Sequence, residues 1–128
     1  MDKAQALHEF WSSFDIPAID EQSAYDEGVL EQLGISYPYI TYEAATDSFD
    51  NSLMLSADIW YNSTSWKDIS WKALEIANDI GMGGKLVHYD GGAIWITRST
   101  PFASRMTSDS TNDIRRIHIN INAEFLSA

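Results

Sequence analysis

Three histidines, nineteen carboxylates and no cysteine are this chain's stock of groups for proton transfer or metal binding. Such chemistry needs them at set spacings, and the sequence places none there. His8 lies beside an apolar stripe with no second ligand at metal spacing, and reads as a boundary histidine. Asp20-Glu21 and Asp26-Glu27 are paired carboxylates, but acid–base work requires a pocket that drives their pKa values apart. They sit in a polar stretch broken by Gly28 and Gly34, which reads as a solvated connection. Asp47 and Asp50 lack the spacing and glycine of a calcium loop. Gly81-Met82-Gly83-Gly84 follows a helix and precedes a strand, the reverse of a phosphate-binding turn, so it reads as a helix terminator. Without cysteine there is no thiolate nucleophile and no disulfide framework, which fits a reducing compartment. No catalytic, cofactor or metal site is assigned, and an enzyme is not expected.

The elements that would position any site are legible from periodicity. Ile117, Ile119, Ile121, Ala123 and Phe125 alternate with Arg116, His118, Asn120, Asn122 and Glu124, the pattern of a long strand over 114–125 with one buried face. Leu53 to Tyr61 alternates in the same way. Leu7, Phe10, Trp11 and Phe14 make one apolar stripe of a helix over 2–14, with Asp2 at its start and Pro17 beyond its end. A second helix spans 65–80, with Ser65 as N-cap, Gly81 after its end and Ile69, Ala73, Ile76, Ala77 and Ile80 on one face. Trp66 and Trp71 lie off that stripe, where they fill the helix edges or meet another chain. Residues 37–43 read as a strand, joined through Asp47–Asn51 to the Leu53 strand as a hairpin. Lys85–Tyr89 and Ala93–Arg98 form another hairpin around Asp90-Gly91-Gly92.

Residues 99–113 read as a long polar loop carrying Phe102, Arg105 and Met106 among hydroxyls, residue types that suit a protein interface. The sum is one α+β domain over 1–128: a mainly antiparallel sheet of about five strands with two helices packed on one face. No apolar run approaches the roughly 20 residues that cross a bilayer. The start, Met1-Asp2-Lys3-Ala4-Gln5, has no signal-peptide plan, so Asn62-Ser63-Thr64 reads as an incidental sequon.

Charge adds a constraint. Of the net −11, all falls in residues 1–64, where twelve carboxylates face one lysine; residues 65–128 balance seven of each sign. Such an acidic half argues against sequence-specific DNA binding. It reads either as a solubilising surface or as a surface that must face DNA without holding it.

Three stretches together resemble the small tail-completion proteins of long-tailed bacteriophages. They are the helix with Leu7-His8-Glu9-Phe10-Trp11-Ser12-Ser13-Phe14, the Ile16-Pro17-Ala18 turn and Tyr37-Pro38-Tyr39-Ile40-Thr41-Tyr42. The later half is similar too: a helix with Trp66, Ile69, Ala73 and Ile76, a glycine-rich hairpin, and a closing Arg115-Arg116-Ile117-His118-Ile119-Asn120-Ile121 strand. Within that group the chain looks most like a tail terminator. The resemblance implies a structural subunit, assembled in the host cytoplasm, that forms a hexameric ring at the head-proximal end of the virion tail. That ring stops tube polymerisation and offers the head-tail joining surface. Its implied partners are further copies of itself, the major tail tube protein and a head-completion or connector protein, with DNA passing through unbound. Another connector protein, or an acidic binding module that mimics DNA, are the alternative readings.

Overall fold

The computed structural model describes residues 1–26, 28–44, 52–107 and 113–127. The Asp47–Asn51 turn expected from sequence lies outside the described residues. Among the described residues, four helices and six strands follow in the order α1 (Lys3–Ser12), β1 (Ala18–Asp20), α2 (Glu21–Ala24), α3 (Val29–Gln32), β2 (Tyr39–Tyr42), β3 (Ser52–Asn62), α4 (Lys67–Ile80), β4 (Lys85–Tyr89), β5 (Gly92–Arg105) and β6 (Ile114–Ser127). The strands form one mixed sheet in the order β1-β2-β3-β6-β5-β4, parallel only between β1 and β2. This is the α+β class, with one strand more than expected.

Hydrophobic alternation decides which face of the sheet is covered. Leu55, Ala57 and Ile59 of β3 and Ile117, Ile119, Ile121, Ala123 and Phe125 of β6 are buried on one face. Against them lie Ala6, Leu7, Phe10 and Trp11 of α1 and Ile69, Ala73, Ile76 and Ile80 of α4. Both long helices therefore share a side, as the sequence requires. The helix ends follow local chemistry. Asp2 and Gln5 exchange side-chain and backbone bonds as a capping box. Ser65 acts one residue earlier than expected: α4 is capped at Trp66, and the Ser65 hydroxyl accepts from the Lys67 amide at 3.0 Å. Gly81 ends α4 at φ 73°, a backbone angle that favours glycine, and its amide reaches the Ala77 carbonyl.

Two expectations need correction. The acidic stretch after Pro17 is not a plain connection: Ala18–Asp20 pairs in parallel with β2, and the Asp20 carboxylate then caps α2 by accepting from the Ser23 amide at 2.9 Å. Nor is 99–113 one loop. β5 continues through Ser99, Phe102 and Ala103 to Arg105, and Ala103–Arg105 pair with Ile119–Ile117 of β6 after a register irregularity between Arg98 and Ala103. Because β4 pairs with Gly92–Ile96, the rest of β5 is a sheet edge among the described residues. Pro101 sits on that edge, where a missing donor is tolerated.

Candidate functional site

The extension of β5 carries Arg105 to the first turns of α4. There the helix has three distinct flanks. Ile69, Ala73, Ile76 and Ile80 face the core. Asp68, Lys72, Glu75 and Asp79 follow the polar flank, where Lys72 bonds Glu75 and Lys85 bonds Asp79. Lys67, Ser70, Trp71 and Leu74 recur at i, i+3, i+4 and i+7 on the third flank, and with Ser65, Trp66 and Arg105 they line an open groove of about 360 Å³. That volume is at the small end for a ligand pocket, and the mouth is wide. Such a groove suits an inserted side chain better than an enclosed small molecule.

Two guanidinium groups lie against Trp66, and that of Arg105 lines the groove. The Arg105 guanidinium lies 5.1 Å from the Trp66 ring centre and donates to the Ser70 hydroxyl at 3.4 Å. The Arg115 guanidinium lies 5.4 Å from the same ring and donates to the Thr64 carbonyl at 2.8 Å. Trp66 thus orders two cations by cation–π attraction. Trp71 is 63% exposed and Leu74 48%. Among the described residues, no carboxylate lines the groove.

Of the five residues expected to meet a partner, Trp66, Trp71 and Arg105 converge on this groove. Phe102 does not: it packs against the hydrophobic core. Met106 is half-buried, and its amide donates to the Arg116 carbonyl in continuation of the β5–β6 pairing. Ser70 and Leu74 were not anticipated, although their spacing from Trp71 on a helix carried the signal.

The uncovered sheet face holds a second cluster. Asp58 of β3 is 5% exposed, and one of its oxygens accepts from Arg116 Nε and from His118 Nδ1, each at 2.9 Å. The register places Asp58 opposite His118 and Trp60 opposite Arg116. Trp60 stacks on Tyr39, donates to Thr41 Oγ1 at 2.9 Å and supports the Arg116 guanidinium at 5.1 Å. An Asp–His pair can orient a general base, but here Arg116 shares the same carboxylate oxygen. The arrangement is cross-strand neutralisation of a buried charge. Nearby, burial pushes the Glu21 carboxyl above its ordinary value, with the Glu43 and Asp58 carboxylates adding to the shift. Burial also pushes the Tyr39 and Tyr42 hydroxyls up to about 12. Cross-strand charge matching could have found Asp58, had the β3–β6 register been known.

His8 is a boundary residue: Tyr42 Oη lies 2.8 Å from its Nδ1 and Ser12 Oγ 3.2 Å from its Nε2. Among the described residues, no group of three or more His, Cys, Asp or Glu is placed to hold a metal, and no helix is long and apolar enough to cross a membrane. Comparison with family models, with curated proteins and with solved structures finds no match.

Proposed function

We propose that this protein is a ring-forming tail terminator of a long-tailed bacteriophage or prophage. It caps the tail tube, stops its polymerisation and provides the surface on which the head joins. The observation that carries the assembly role is the open Trp66–Trp71–Arg105 groove, which offers exposed aromatic area and a positioned cation to another protein. The choice of a tail terminator rests on the resemblance of the helix around Phe10-Trp11, the Tyr37–Tyr42 strand and the closing Arg115–Ile121 strand. Two features are in keeping with it. Ring subunits need distinct head and tail surfaces that close by rotation, and among the described residues β1 and β4 are the edge strands at the two ends of the sheet. A channel that passes DNA benefits from carboxylates that repel phosphate, and the first half of the chain is rich in them.

Particle mass and electron microscopy of the purified chain, alone and with tail tubes, test this. A six-fold ring seated on one end of the tube supports it. A protein that stays monomeric at all concentrations and leaves tube length unregulated overturns it. A ring that binds the head and ignores the tube would transfer the protein to another connector position.

A further inference from the structure

We propose that the groove between α4 and β5 receives the acidic ridge formed by α2 and α3 of a second copy of this chain. The inference rests on the ring reading and names the contact that builds the ring. On the ridge, large apolar side chains stand out among acidic ones. Tyr25 is 78% exposed and Leu33 60%, and the exposed Asp26 and Glu31 lie between them. No lysine or arginine occurs between Lys3 and Lys67, so the ridge carries no cation of its own, and Arg116 of β6 acts on it at the Glu21 end. The groove has the complementary makeup: Trp66, Trp71 and Leu74 for apolar contact, with Lys67 and Arg105 at its sides.

Placement excludes closure within one chain and favours a head-to-tail contact. α2 follows β1 directly and packs on β1 and β2, at one end of the sheet. Arg105 lies on the edge of β5 beyond Ile96, with β3 and β6 between the two surfaces. A single contact of ridge with groove therefore leaves one free ridge and one free groove, the condition for growth into a closed ring. Tyr25 is a residue of the kind that anchors an interface, Leu33 adds apolar area beside it, and the flanking charges select the partner and register.

Charge reversal of the full-length chain tests the pairing. Asp26→Lys with Glu31→Lys reverses the ridge, and Lys67→Glu with Arg105→Glu reverses the groove. All four side chains are exposed, so circular dichroism and thermal midpoint should match the parent. Each double variant alone should weaken self-association, read by sedimentation, at least about tenfold. Mixing the two double variants should restore assembly, since each then offers the surface that the other lacks. Tyr25→Ser with Leu33→Ser provides an independent arm without charge change and should also prevent assembly. If the parent chain forms rings that neither reversal weakens, this contact is wrong while the ring reading stands. A parent chain that never assembles overturns both.

Discussion

Asp58 illustrates how one residue constrains the open face of the sheet. Its carboxylate lies among strands, almost without solvent, and accepts from Arg116 and His118. Replacing it by Asn removes the charge while keeping the volume. Loss of one member of a fully buried pair costs about 3–5 kcal/mol. Arg116 and His118 retain side-chain exposures of 21% and 29%, which lowers the expected cost of Asp58→Asn to about 2 kcal/mol in urea unfolding. Titrating groups on the two sides of the sheet set two pH dependences, Tyr42 lying on the covered side against Trp11. Tyr39 and Tyr42 have ordinary values of 10.0 and folded values of about 12. Their neutral forms therefore support the fold fully below pH 10, and that support is lost as pH rises toward 12. Tyr39→Phe, measured by alkaline unfolding, should shift the transition to higher pH. Glu21 is also raised, so its contribution is complete below its ordinary value of 4.5 and declines as pH rises through the folded value. Glu21→Gln should then stabilise the protein at neutral pH and make no difference at pH 3. The Arg116-x-His118 face was legible in the sequence as polar. Its burial partner was not, because only strand register brings Asp58 across from it.

At the scale of elements, β6 is the centre of the sheet and pairs along its length with β3 and β5. Ile119 lies midway along it and is fully buried. Ile119→Asp places an unpaired charge there and should leave no folded population by circular dichroism, since the cost of burying it rivals the whole stability of a small domain. Gly92 marks a second dependence. Any Cβ at that position would meet the Leu126 carbonyl and the Tyr89 hydroxyl. Gly92→Ala must push β5 away from β6 at the end of the hairpin, and should cost about 1–3 kcal/mol in urea unfolding. The long strands were legible because alternation over many residues leaves one reading. Two elements were not, for different reasons. Ala18–Asp20 is too short to display a period and owes its strand state to β2 beside it. Residues 99–105 look like a loop because Ser99, Thr100, Pro101 and Ser104 are common in loops. They form a strand because β6 supplies a partner on one side, while the missing β4 on the other makes Pro101 acceptable. This extension is what carries Arg105 to Trp66. The groove was therefore visible as residue types but not as a place.

For the molecule as a whole, the ring reading predicts that stability and assembly are separable, because the core and the groove draw on different residues. The core uses one flank of α4, and the groove uses another. Trp71 belongs to the second and is mostly exposed. Trp71→Ala should leave unfolding free energy within about 0.5 kcal/mol of the parent, as exposed positions usually do. The same substitution should weaken ring formation at least about tenfold, because an exposed tryptophan is a frequent interface anchor. The two measurements together discriminate: a Trp71 that merely shields the edge of α4 would lower stability and leave particle mass unchanged. Salt sharpens the same distinction. The Debye length falls from about 10 Å at 0.1 M to about 3 Å at 1 M, so contacts between the acidic half and the groove's cations should weaken across that range. The apolar core is indifferent to that screening. A ring that dissociates in high salt while its subunits keep their thermal midpoint would locate the assembling force in charge matching between copies, and would give the chain's lopsided charge a purpose beyond solubility.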